Sequence, residues 1–239
     1  LTFGLSVPYT LPLCTRCLPC RRPRFGNAPS EKRGVPLSVE RESYAIHVRV
    51  PSITWWHIDD DDLWLKSRKM DLLIKKVDDN LWHAQFGDKI WRCAVGRGGI
   101  QQHKEEGDGV SPIGRWPLRR LFYRADRISK PETVIDCREM TALDGWCDDP
   151  ASPAYNKHVT LPFAARHEVF WMEDDIYDCV VVLGHNDSPI VPGAGSAIFL
   201  HIARPEYTPT AGCAALSKED LLAFLKLAQK DTHLQFLDR

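Results

Sequence analysis

Cys213 directly follows Gly212, and His201 closes the apolar run Ala197-Ile198-Phe199-Leu200. A thiol attacks efficiently only as its thiolate, which near neutral pH needs an imidazole or another positive field beside it. A glycine just before the cysteine lets the backbone turn so that main-chain amides, here those of Gly212 and Cys213, can face a developing oxyanion. The stretch from Gly195 through His201 to Pro205, followed by Thr208-Pro209-Thr210-Ala211-Gly212-Cys213, therefore carries the parts of a cysteine acyl-transfer site. Spacing alone leaves a plainer reading open. A histidine at a strand end often only packs or hydrogen-bonds, and a lone cysteine often fills a core.

Other residues present similar pairs of readings. Gly184-His185-Asn186-Asp187 could supply a second imidazole through His185, or a hydrogen bond through Asp187, and is also ordinary turn chemistry. Arg115, Arg119, Arg120, Arg124 and Arg127 form the densest basic stretch, suited either to binding carboxylates or to a solvated strand face. Trp146, Phe170, Trp171 and Tyr155 could line a groove, although core is the default for large aromatics. The pairs Asp148-Asp149 and Asp174-Asp175 lack accompanying histidines and read as loop residues. Zinc on His185, His201 and Cys213 is a further alternative that lacks an evident fourth ligand. Cys14, Cys17 and Cys20 likewise lack a fourth ligand and read as incidental thiols.

The elements that must position Cys213 and His201 read as a mainly β domain with long loops. Strands are expected at 81–86, 90–95, 116–123, 159–161, 177–183 and 197–202, with a further strand-like run from Asp71 to Val77, and glycines punctuate them. One helix stands out after the cysteine. Ser217 caps it, and Leu221, Leu222, Phe224, Leu225 and Ala228 recur at the spacing of a buried face. Residues 1–69 shift from Pro-rich to basic to acidic without a sustained period and are expected to be a poorly ordered extension, with residues 70–239 as the folded domain. Met70 is a candidate natural start.

The 239-residue chain is 44% hydrophobic, enough for a substantial core. Its formal net charge of -1 gives no electrostatic reason to expect a nucleic-acid partner. No apolar run is long enough for a membrane-spanning helix. The first twenty residues lack the charged start of a signal peptide, and Pro8, Pro12 and Pro19 interrupt them. Cys93, Cys137, Cys147, Cys179 and Cys213 cannot all pair with one another, so at least one remains a thiol unless it bonds outside the domain.

The histidine-to-cysteine stretch resembles the catalytic motif of the L,D-transpeptidase family, the YkuD-like domains. His201 matches its strand histidine, Thr210 its hydroxyl position, Gly212 its glycine and Cys213 its nucleophile. Gly107-Asp108-Gly109-Val110-Ser111-Pro112-Ile113-Gly114-Arg115-Trp116 resembles a second family segment, and Asp144 to Pro150, Tyr155-Asn156 and Gly184 to Asp187 resemble a stand-alone bacterial branch. The resemblance spans residues 71–236 and implies a YkuD-like β-sandwich, with a cysteine thioester forming on stem peptides of peptidoglycan. Neither metal nor cofactor is required by that chemistry. Thr210, by its place in the motif, and His185 and Arg115, by their imidazole and guanidinium chemistry, are the expected substrate-binding positions. The implied location is the periplasm or cell envelope, with a cytoplasmic role on cell-wall fragments as the alternative. Two departures stand out: Ala211 replaces the motif's second histidine, and Ala215 replaces its arginine. A peptidoglycan carboxypeptidase or endopeptidase with the same nucleophile, and a binding module that has lost turnover, are the alternatives.

Overall fold

Side chains alternate across a strand, so a sheet with apolar residues at successive positions can serve a core on each face. The chain uses this in its second half. The computed structural model describes residues 70–79 and 81–238, so the expectations placed on residues 1–69 lie outside the described residues. Within them run β1 (Leu72–Asp78), β2 (Leu81–Phe86), β3 (Lys89–Ala94), β4 (Ile100–Gln101), β5 (Ser111–Pro112), β6 (Gly114–Tyr123) and β7 (Cys137–Glu139). Then follow β8 (Asp144–Cys147), β9 (Lys157–Thr160), β10 (His167–Val169), β11 (Cys179–Leu183), β12 (Phe199–Ile202), β13 (Ala214–Leu216), helix α1 (Lys218–Leu227) and β14 (His233–Phe236).

Mainly β was expected, and the layers arise in a particular way. The large sheet runs β11-β12-β13-β3-β2-β1-β14-β6-β7, and β6 pairs with β11 as well. The length of β6 makes this possible: residues 114–117 lie against β14 and residues 118–123 against β11. The sheet therefore returns on itself. A smaller sheet, β10-β8-β9, packs on part of its outer face. No helix among the described residues is long and apolar enough to cross a membrane.

Parity sorts the side chains between the two cores. Leu121, Val181, Leu200, Ala214 and Leu216 point into the enclosed core, which α1 joins through Leu221, Phe224 and Leu225. Their neighbours Phe122, Val180, Val182, Phe199 and Cys213 face the other way, against Phe170 and Trp146. Phe199 is fully buried there, with its ring edge-on to Trp146 at 5.4 Å and to Phe170 at 5.5 Å. Truncating such a phenylalanine to alanine typically costs about 3–5 kcal/mol.

The helix begins as its sequence indicates. The Asp220 amide donates to Ser217 Oγ at 3.1 Å, with Glu219 and Asp220 in the first turn and Lys226 in the last, as the helix dipole favours. It does not follow Cys213 directly, however. Strand β13 intervenes, so the positive end of the helix is not the field that acts on the thiol.

Candidate active site

Strands β12 and β13 are parallel, with Leu200 beside Ala214, His201 beside Ala215 and Ile202 beside Leu216. A parallel pair needs a crossover, so residues 203–213 travel back along the strands before β13 begins. This brings Cys213, just before β13, beside the start of β12. Parity places His201 on the same face two residues further along, roughly 6–7 Å away in the strand direction. Both line one cavity of about 320 Å³, together with Tyr177, Glu168, Thr210 and Ala211 among others.

The returning segment is held by three loops that converge on Gly96. A Cβ at Gly96 would lie 2.2 Å from the Gly109 carbonyl oxygen and 3.0 Å from Gly212 Cα, so only glycine fits. Ser111, fully buried, receives the Gly96 amide at 2.9 Å and donates its hydroxyl to the Gly212 carbonyl at 2.7 Å. Gly212 itself has a φ of 145°, and a Cβ there would sit 3.0 Å from the Val110 carbonyl oxygen. Thr210 braces the final turn: its hydroxyl receives the Gly212 amide at 3.1 Å and donates to the Cys213 carbonyl at 2.7 Å.

Main-chain groups clamp the Cys213 thiol. Sγ receives the Phe199 amide at 3.3 Å and donates to the Ala197 carbonyl at 3.3 Å. Burial pushes its pKa up to about 12, with the charge of Glu168 acting in the same direction and the Phe199 amide and Lys104 opposing. His201 donates from Nδ1 to the Ile202 carbonyl at 2.8 Å. A carbonyl only accepts, so Nδ1 carries the proton and Nε2 keeps its lone pair. Burial pulls the imidazole down to about 4, against the bond to Ile202, and Tyr177 packs edge-on to it at 5.3 Å. The resting pair is thus a neutral thiol and a neutral base, not a thiolate–imidazolium pair.

Glu168 is a functional-site candidate that the sequence did not single out. Burial raises its carboxyl to about 7, the Tyr177 hydroxyl bond at 2.7 Å opposes that shift, and Asp148 and Glu106 reinforce it. Asn156, which the sequence marks only through the resemblance of Tyr155-Asn156 to the family, organises the thiol's partner. Its Oδ1 receives the amide of Ala197 at 3.2 Å and the Trp146 indole N–H at 3.0 Å. Neither residue had a local signal. Burial and distant partners give both their roles.

Several expected site residues lie elsewhere. Arg115 forks onto Asp71, and it does not line the cavity. Arg119, Arg120, Arg124 and Arg127 are likewise tied to Asp187, Asp136, Asp126 and Asp178, so the basic stretch is neither a free carboxylate binder nor a plain solvated face. His185 donates from Nε2 to the Ala194 carbonyl at 3.0 Å, packs edge-on to Trp116 and is absent from the cavity wall. With Asp187 engaged by Arg119, that loop supplies no second imidazole beside the thiol. Phe170 and Tyr155 are buried, whereas Asp148 reaches the cavity wall and forms an ion pair with Arg166. Cys93, Cys137, Cys147, Cys179 and Cys213 are all free thiols.

The family model YkuD, the L,D-transpeptidase catalytic domain, matches residues 72–235, which include every strand from β1 to β13 and both His201 and Cys213. Comparisons with curated proteins and with solved structures gave no match. The family match takes in more than half of the chain, and the protein belongs to the L,D-transpeptidase catalytic-domain family.

Proposed function

We propose that the protein is a peptidoglycan L,D-transpeptidase of the cell envelope that forms a thioester on Cys213. The observation that carries the reading is the placement of Cys213 and His201 on one sheet face, lining one cavity, with His201 Nε2 holding a lone pair. In this mechanism a bound stem peptide presents the carbonyl before its terminal D-residue to Sγ. The thiol leaves the Ala197 carbonyl, His201 Nε2 takes its proton, and sulfur attacks the carbonyl carbon. The Cys213 amide, joined by the Gly212 amide when that releases Thr210, stabilises the oxyanion. Collapse breaks the C–N bond, the leaving amine takes the proton from His201, and an acyl thioester remains. The amine of a second stem peptide then attacks the thioester, its proton returns to sulfur through His201, and a crosslink results.

The resting pKa values fit a site that ionises only when occupied. A thiol near 12 and an imidazole near 4 exchange a proton unfavourably, so bound substrate must supply the compensation. Disaccharide-tetrapeptide is the test substrate. Release of D-alanine with formation of crosslinked dimer by the native protein, and by neither Cys213→Ala nor His201→Ala, is the expected result. D-Alanine release with only hydrolysed tripeptide would assign the protein to carboxypeptidases instead. Folded protein that binds the fragment and releases nothing would make it a binding module.

A further inference from the structure

Charges on the cavity wall differ in whether the protein already satisfies them. Glu106 receives the hydroxyls of Tyr155 and Ser196, Asp148 is paired with Arg166, and Glu168 receives the Tyr177 hydroxyl. Of the cations, Lys104 is held by Asp108 with only 6% of its side chain exposed, and Arg204 is paired with Asp174 at 2.9 Å. Arg97 is the exception. Its Nη2 donates to a neutral group, the Gly107 carbonyl, at 2.9 Å, and no carboxylate among the described residues forms an ion pair with it.

Arg97 is also held in place. Its amide donates to the Thr210 carbonyl at 2.9 Å, tying it to the segment that leads into Cys213. Its side chain lies along Gly109, where a Cβ would come within 2.7 Å of Arg97 Cγ and 2.8 Å of Cζ. A planar guanidinium fixed in this way, exposed at a cavity and lacking an internal anion, is preorganised for a carboxylate. We propose that Arg97 is the specificity-determining residue of the site and binds the terminal carboxylate of the donor peptide, so that peptides ending in a free carboxylate are selected. The identity of that peptide rests on the function proposed above.

Calorimetric titration of Cys213→Ala protein with disaccharide-tetrapeptide and with its C-terminal carboxamide tests the assignment without any turnover. The expected result is tighter binding of the carboxylate form by about ten- to a hundredfold, the range for hydrogen bonds to a charged group. Adding Arg97→Ala should bring both forms to the carboxamide's affinity, and Arg97→Lys should keep part of the preference. Equal affinity for the two forms, a preference that survives Arg97→Ala, a preference lost through Arg204→Ala instead, or binding of neither form would each overturn it. D-Alanine release by native protein reads the proposed function separately. Release without a carboxylate preference removes only the role of Arg97, and a preference without release removes only the acyl transfer.

Discussion

Replacing Asn156 should disturb both the stability of the fold and the setting of the thiol. This buried side chain uses its whole hydrogen-bonding capacity: Oδ1 receives Trp146 Nε1 at 3.0 Å and the Ala197 amide at 3.2 Å, and Nδ2 donates to the carbonyls of His185 at 3.0 Å and Asn186 at 2.8 Å. Asn156→Ala strips the partner from two donors, each orphaned donor costing about 1–3 kcal/mol, so about 2–6 kcal/mol is expected from these alone. Asn156 also has a φ of 55°, which asparagine tolerates and alanine resists by about 1 kcal/mol. Urea denaturation of Asn156→Ala and Asn156→Gly separates the two contributions, because glycine shares the lost bonds but not the left-handed strain. The glycine variant should be the more stable of the two by about 1 kcal/mol. Ala197 has a φ of 51° and its carbonyl receives the Cys213 thiol, so freeing its amide should also quicken alkylation of Cys213 in folded protein. An Asn156→Ala protein within about 0.5 kcal/mol of native, with unchanged alkylation, would rule out this role for Asn156.

Further predictions concern protons and the loop under the thiol. A Cys213 pKa near 12 instead of the ordinary 9.0 leaves about a thousandth of the usual thiolate fraction, so iodoacetamide should modify Cys213 far more slowly in folded than in urea-unfolded protein; peptide mass mapping measures both rates. His201 and Glu168 should pull stability in opposite directions. The imidazole is depressed from 6.5 to about 4, so its contribution is present above pH 6.5 and is lost as pH falls toward 4. The carboxyl is raised from 4.5 to about 7, so its contribution is present below pH 4.5 and is lost as pH rises toward 7. Urea midpoints against pH should reveal each slope once the other group is removed: relative to native, Glu168→Gln should lose more stability on acidification from 6.5, and His201→Gln more on raising pH from 4.5. Ser111→Ala orphans the buried Gly96 amide and releases the Gly212 carbonyl; a loss of about 1–3 kcal/mol in denaturation, with slower D-alanine release, is expected.

What could be read from the sequence followed its periodicity. The runs that became β2, β3, β6, β11 and β12 alternate or are continuously apolar over several residues, and Ser217 marked the start of α1. Strands β7, β8, β10, β13 and β14 have no such signal: each spans three or four residues with no longer run around it, whereas the four residues of β12 extend the apolar run that begins at Ala197. Ala214, Ala215 and Leu216 are buried together between β12 and β3, which gives β13 a plain apolar triplet with no polar face. His201 and Cys213 were legible because a short crossover separates them and the family motif spans both. The electrostatics were not. Arg115 and Asp71 are 44 positions apart, and Arg119 and Asp187 are 68 apart, so nothing local announced that the basic stretch was already neutralised. For the same reason nothing in the sequence marks Arg97, which folding leaves at the cavity with no carboxylate partner among the described residues.

The proposed chemistry stands or falls on whether Cys213 forms a thioester with a stem peptide. Intact-protein mass spectrometry of native and Cys213→Ala chains after brief exposure to disaccharide-tetrapeptide, followed by peptide mapping, addresses it directly. The expected product is a native-only adduct with the mass of the substrate less D-alanine, located on the peptide containing Cys213 and removed by hydroxylamine. An adduct at another residue, or D-alanine release that persists in Cys213→Ala, would contradict it.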